Sequence, residues 1–298
     1  MIFPSINVTE DFQSIFYHLL EDESININEG NVNLFCLKIH NKNFEYDSLI
    51  QYLSNSIVSY CLSQRDYEEM YKSKQLGMMN TKAKTLFRNY TSNKGELGEV
   101  ILYSFLESHL KAPKILSKMK LKTSTNDYVK RSDGIHMLKV DDNNYELIFG
   151  ESKMYADLGD GLRDAFQSIN ELKTREDNNI NDEIDLICSN IPSEFAEENY
   201  ELIKRIIKPS KDDSYDYDIS FAVFVGFEIK LDKYMALKNM DFKEMLKADI
   251  KKLVIGKLKR IESYINKLEL DKHNIYIYLV PFSKIDETRK EVLHKLTV

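Results

Sequence analysis

Residues 132–155 read SDGIHMLKVDDNNYELIFGESKMY, and this stretch decides the fold class. Two runs of alternating apolar residues, Asp133 to Val140 and Tyr145 to Tyr155, flank the turn-rich Asp141-Asp142-Asn143-Asn144. Period-two alternation bounded by Asp and Asn is the signal of an antiparallel hairpin. Along the second run Tyr145, Leu147, Phe149, Glu151 and Lys153 share one face, so an apolar surface ends in a carboxylate and an amine. A four-residue turn pairs Val140 with Tyr145, sets Asp133 opposite Ser152 and points it to the other face. A one-residue bulge or a five-residue turn instead brings Asp133 onto the Glu151 face. Asp133, Glu151 and Lys153 are then expected to gather at one end of the hairpin.

Outward from the hairpin, Lys94 to Leu110 is a strongly apolar helix, ended by Pro113. On its wheel Leu102, Leu106 and Leu110 lie near Glu99, whereas Glu96 leans toward Ser104 and Glu107. A carboxylate in a leucine stripe loses hydration and needs a metal, a cation or hydrogen bonds. Glu99 is therefore the expected functional residue, with a buried structural hydrogen bond as the plain alternative. Glu96 reads as a solvated residue or as a first-turn carboxylate complementing the helix dipole.

The remaining pattern places strands at Asn31 to His40, near Ile184 to Ser189, at Ile219 to Ile229 and at Asn274 to Val280. Helices are expected at Glu45 to Leu62, Arg65 to Lys74, Thr81 to Tyr90 after a break at Gly77, Leu162 to Lys173, Ser193 to Ile207, Phe242 to Leu268 and the C-terminus. Helices alternating with strands around a hairpin predict an α/β fold with a mixed sheet flanked by helices. A soft boundary near residue 90 separates an N-terminal α/β extension, 1–90, from a core, 91–298.

The 298 residues carry a net charge of −7, which argues against a protein that coats DNA generically but not against a local basic cleft. From Lys111 to Arg131 the chain holds Lys111, Lys114, Lys118, Lys120, Lys122, Lys130 and Arg131 against the single acid Asp127. Phosphate contact is the favoured reading of that segment, beside a solvated loop or a partner-docking surface. Lys247 to Arg260 is a second basic run, as readily a solvated helix face as a contact surface. Cys36, Cys61 and Cys188 are isolated and odd in number, which fits a reducing compartment and a cytoplasmic protein. The first residues lack the charge-then-apolar order of a signal peptide, and no apolar run approaches the ~20 residues of a membrane span. Nothing reads as a P-loop or as a nucleophile–His pair.

Two or three carboxylates around one point bind Mg²⁺ or Mn²⁺, which polarises a phosphodiester and activates water. A nearby lysine orients that water or neutralises charge building on the phosphate. Gly95-x-x-x-Glu99, Ser132-Asp133 and Glu151-Ser152-Lys153, in this order and spacing, resemble the PD-(D/E)xK nuclease superfamily. GELGE, SDGIH and GESKMY together are similar, more narrowly, to the HamA family, nuclease subunits of Hachiman antiphage defence. The motif block covers about 60 residues, and the chain length and single-module layout are similar too. The resemblance implies a restriction-endonuclease-like core, a metal-dependent DNA endonuclease activity and a HamB-like helicase partner. It implies Glu99, Asp133 and Glu151 as ligands of Mg²⁺ or Mn²⁺, and Lys153 as the catalytic lysine. Ser132 departs from the superfamily's usual Pro, a change that touches backbone shape rather than chemistry.

Glu96 and Gln167 are accessory candidates, Gln167 being as readily a solvent-facing residue. Lys118, Lys120, Lys122, Lys130 and Arg131 are candidate DNA contacts. His136 is expected to be a hydrogen-bonded structural histidine, and Tyr155 and Asp157 to border the cleft, Tyr155 being equally well a core aromatic. A junction resolvase, a restriction-type nuclease and a non-catalytic DNA-binding adaptor are the alternatives.

Overall fold

A computed structural model of the chain describes residues 3–25, 30–90, 95–119, 132–174, 180–211 and 213–298. Seven strands form one sheet: β1 (Phe16–Ile25), β2 (Gly30–Leu37), β5 (Lys114–Ser117), β6 (Gly134–Lys139), β7 (Asn144–Tyr155), β8 (Asp216–Glu228) and β9 (Ile275–Phe282). A separate two-stranded ribbon pairs β3 (Ile39–His40) with β4 (Asn43–Phe44). The sheet order is β1-β2-β9-β8-β7-β6-β5. β2, β9, β8 and β7 run parallel at its centre, with β1 antiparallel at one edge and β6 and β5 antiparallel at the other. The strands of residues 16–37 thus share a sheet with those of the later chain. Phe221 through Val225 and Ile277 through Leu279 are fully buried, as expected of parallel strands covered on both faces.

The α-helices among the described residues are α1 (Tyr46–Cys61), α2 (Gln64–Lys72), α3 (Leu76–Tyr90), α4 (Glu96–Ser108), α5 (Leu158–Thr174), α6 (Ile180–Glu194), α7 (Glu197–Ile207), α8 (Asn239–Ile255), α9 (Leu258–Lys267) and α10 (Ile285–Thr297). The strand expected near Ile184 to Ser189 is instead part of α6. Ile184, Ile187 and Ile191 are buried at helical spacing, and β-branched content had masked that period. The helix expected from Ser193 begins only at Glu197, because Phe195 and Ala196 interrupt it. The single helix expected over Phe242 to Leu268 is two, α8 and α9, parted at Gly256. Gly77 does not break its helix; the chain turns earlier, where Lys74 takes a positive φ of 58°. Strands β1 and β5 gave no clear signal, one being rich in charge and the other only four residues long.

Two faces of β7 carry different helices. α4 lies so close to the strand that a Cβ on Gly98 would stand 3.2 Å from Ser152 Oγ. A Cβ on Gly150 would likewise meet Leu102 at 3.0 Å, so the two glycines set the helix on the sheet. α5 covers the other face, where Gly161 abuts Val225 and Tyr155.

Candidate functional site

The hairpin pairs Lys139 with Tyr145 and Gly134 with Gly150. Its register is that of a five-residue turn, one residue away from the four-residue pairing. Asp141 explains the longer turn: its carboxylate accepts from Asn143 N at 2.8 Å and Asn144 N at 2.9 Å, closing the loop. β6 therefore begins opposite Gly150, and residues 151–155 of β7 run on with β8 as their partner. The sheet forks here, and the charged groups collect in the fork.

Asp133, just before β6, accepts from Ser152 N at 2.7 Å and Ser152 Oγ at 2.6 Å through one oxygen. Its other oxygen accepts from Lys118 Nζ at 2.5 Å. The same ammonium stands 3.5 Å from Glu99 Oε1, and Tyr60 of α1 donates its hydroxyl to Glu99 Oε2 at 2.9 Å. Glu99, Lys118, Asp133 and Ser152 thus form one cluster beneath α4. Glu151 and Lys153 form the neighbouring pair, with Nζ to Oε1 at 2.5 Å. Ser152 faces α4 and strand alternation turns Glu151 and Lys153 away from that helix, yet Lys153 still reaches the same cleft.

Electrostatics tie the two groups together. Burial pushes the Glu151 carboxyl well up, and the charge of Asp133 adds to this against the opposing pull of Lys153. Burial alone would lower the Lys153 amine, but Glu151 overcomes it and holds the amine above its ordinary value. Lys118 behaves likewise: burial acts to lower it, and Asp133 and Glu99 together raise it. Among the described residues, no three His, Cys, Asp or Glu side chains are grouped so as to hold a metal ion. The carboxylate oxygens are turned to lysines and hydroxyls instead.

A cleft of about 430 Å³ opens over the cluster. Glu99, Lys118, Asp133, Ser152 and Lys153 line it, with Ile285, Asp286 and Arg289 of α10 on its far wall. Glu151 lies behind this lining, buried to 7% exposure. Glu96 is also buried, at 1% exposure, so its solvated reading does not hold. Gln167 is exposed on α5, where its amide donates to Glu171, and it does not join the cleft. Of the two residues after the lysine, Tyr155 borders the cleft rather than the core and Asp157 is not part of its lining. His136 is structural: Nδ1–H donates to the Ala112 carbonyl at 2.8 Å, and burial pushes its pKa down to about 4.

The basic segment is divided. Lys114 is buried, and its amine donates to the carbonyls of Ser59, Tyr60 and Leu62 at 2.6, 3.1 and 3.0 Å, capping the C-terminal end of α1. Lys111 pairs with Glu10 at 2.6 Å and donates to the Ser108 carbonyl at 2.8 Å. These two are scaffold contacts rather than phosphate contacts. Lys118 serves the carboxylate cluster, while Lys120, Lys122, Lys130 and Arg131 lie outside the described residues. In the second basic run, Lys257 and Arg260 stand over Gly159 at the start of α5, and Lys247 stacks on Tyr17.

Tyr60, Ser152 and Arg289 were not singled out from sequence. Ser152 sits between Glu151 and Lys153 and was legible as part of that motif. Tyr60 and Arg289 reach the site from helices distant in sequence, with no local pattern to mark them.

Fold and cleft together define the class: a mixed-sheet α/β protein whose sheet fork gathers carboxylates and lysines. Residues 13–296 match the HamA family, and the chain belongs to it. Comparison with curated proteins gave no match. Among the described residues, no helix is long and apolar enough to cross a membrane.

Proposed function

We propose that this chain is a metal-dependent DNA endonuclease of the PD-(D/E)xK type, acting in Hachiman antiphage defence with a HamB-like helicase partner. The observation that carries the reading is the sheet fork, where Glu99, Asp133 and Lys153 line one cleft with Glu151 directly behind. Membership of the HamA family supports the place in antiphage defence.

The donor chemistry suits a hard cation: three carboxylates, with no sulfur or imidazole among them. Glu99, Asp133 and Glu151 are the residues that would hold Mg²⁺ or Mn²⁺, which supplies charge stabilisation at the phosphate and an acidified water. As the chain stands, Lys118 compensates Glu99 and Asp133, so a divalent ion must displace that amine. Lys153 lines the cleft beside Glu151 and is placed to donate a hydrogen bond to charge developing on the phosphate. Ser152 fixes the Asp133 carboxylate from two sides, and Tyr60 fixes Glu99. These contacts orient both groups before substrate arrives.

A non-catalytic DNA-binding adaptor is the second reading, favoured by the carboxylates of Glu99 and Asp133 being compensated by Lys118. The experiment measures DNA cutting and DNA binding separately, for the chain alone and with its helicase, in Mg²⁺, Mn²⁺ and EDTA. Cutting with Mg²⁺ or Mn²⁺ but not with EDTA, lost in a Glu151→Ala/Lys153→Ala double variant that still binds DNA, supports the nuclease. If neither preparation cuts DNA under any condition, the enzymatic reading fails. If binding persists in that case, the adaptor stands.

A further inference from the structure

Arg289 reaches the cleft from α10, 136 residues after Lys153, and no motif marks it. Its backbone is fixed: Ile285 N donates to Glu228 Oε2 at 3.0 Å, and Thr288 Oγ1 donates to the Ser283 carbonyl at 2.6 Å. Ile285, Val292 and Leu296 bury the apolar side of the same helix. The Arg289 side chain is 94% buried, yet its partner among the described residues is a single carboxylate oxygen, Asp286 Oδ1 at 2.6 Å.

A guanidinium carries five N–H donors in a rigid fork, and a buried one is costly unless those donors are met. Arg289 is not among the described side chains with a sealed, partnerless nitrogen, and it lines the cleft, where a ligand can meet its remaining donors. Asp286 is a weak competitor for them, since its carboxylate is mostly in solvent. Arg289 shares the cleft with Lys118 and Lys153, and Lys118 is engaged by Glu99 and Asp133. A divalent cation on those carboxylates would release Lys118 and leave the cleft positive. The ligand that fits such a wall is a phosphodiester, whose two free oxygens match the fork of an arginine.

We infer that Arg289 is a substrate-binding residue that grips a backbone phosphate of DNA in the cleft, next to the phosphate proposed to be cut. The inference rests on the nuclease reading and adds to it a contact from the C-terminal helix.

The test uses the full chain with a fluorescein-labelled 20-base-pair duplex in Ca²⁺. Anisotropy is measured over a series of NaCl concentrations for wild type, Arg289→Gln, Arg289→Lys and the surface control Lys295→Ala. Arg289→Gln is expected to weaken binding about tenfold and to lower the slope of log affinity against log salt by about one. Arg289→Lys keeps the slope because it keeps the charge, and Lys295→Ala leaves both quantities unchanged. Affinity and slope equal to wild type in a folded Arg289→Gln protein overturn the inference.

Should that variant fail to fold, ¹⁵N-labelled wild type decides. The Nε–Hε resonance missing from the Arg289→Lys spectrum must move on addition of DNA, and a resonance that stays in place overturns the inference. Failure of the nuclease reading is distinguishable. A wild-type chain that neither binds nor cuts DNA removes both, whereas a wild type that cuts beside an unaffected Arg289→Gln removes the Arg289 contact alone.

Discussion

Glu146 and Glu151 lie five residues apart on one strand and are equally buried, at 7% exposure each. Their surroundings differ in kind. Glu146 accepts from Ser220 Oγ at 2.7 Å, Asn274 Nδ2 at 2.8 Å and Tyr276 OH at 2.9 Å, three neutral donors on β8, β9 and their approach. Glu151 leans on the ammonium of Lys153 and feels the charges of Asp133 and a second ammonium, Lys118. Neutral donors on neighbouring strands close a carboxylate into the fold. Ammonium groups on long stems compensate charge without closing it, because the stems can move away when another cation arrives. The closed end of β7 reads as architecture, and the open end reads as the place where something binds.

Four outcomes break or sharpen that contrast, taken from the largest effect down. Glu151→Gln is expected to reduce metal-dependent cleavage by on the order of a hundredfold while leaving thermal unfolding close to wild type. Glu146→Gln is expected to do the reverse, keeping cleavage but losing about 1–3 kcal/mol of stability, since the amide nitrogen that replaces one carboxylate oxygen can no longer accept from these partners. Cleavage assays and urea melts on both variants check this, and equal losses in the two would erase the distinction.

His136 belongs with the closed type, neutral and bonded to a backbone carbonyl. Burial lowers its folded pKa from 6.5 to about 4, so the unfolded chain binds the proton more readily. The stability it contributes is present above pH 6.5 and drains away as pH falls toward 4. The loss amounts to about 3 kcal/mol. Urea midpoints between pH 7.5 and 4.5 should fall less steeply for His136→Asn than for wild type. Parallel pH curves for the two proteins would show that the imidazole is not the titrating group.

The glutamates of GELGE give a smaller contrast. Glu99 borders the cleft and Glu96 is buried away from it. The cleavage lost in Glu99→Gln should exceed that lost in Glu96→Gln by about tenfold. A larger loss for Glu96→Gln means that the helix presents the other carboxylate to the substrate.

The smallest expected effect concerns Lys118. As a tethered cation between Glu99 and Asp133 it competes with any divalent ion, so Lys118→Met should tighten Mn²⁺ binding about fivefold by calorimetry. Weaker binding in that variant would make Lys118 a support of the ion site rather than its rival.

Much of the site was legible because its residues are local. The Asp-Asn turn and the period-two runs marked the hairpin, and the leucine stripe marked Glu99 as a carboxylate in need of compensation. The register was undecided by one residue, since alternation is compatible with a four-residue or a five-residue turn; the Asp141 carboxylate selects the longer one by bonding two backbone N–H groups. Lys114 shows the limit of reading charge by position. It looked like a phosphate contact, and it caps α1 because β5 runs alongside that helix end.

The sequence alone therefore determined the α/β class and the hairpin and marked Glu99, Asp133, Glu151 and Lys153 as candidates, because periodicity and motif order act over a few neighbouring residues. Only the tertiary structure decided what surrounds them. Tyr60 on Glu99, Lys118 on Asp133 and Arg289 across the cleft come from segments that meet through helix packing against the sheet. Such meetings depend on burial summed over the whole core, and no stretch of chain records them locally.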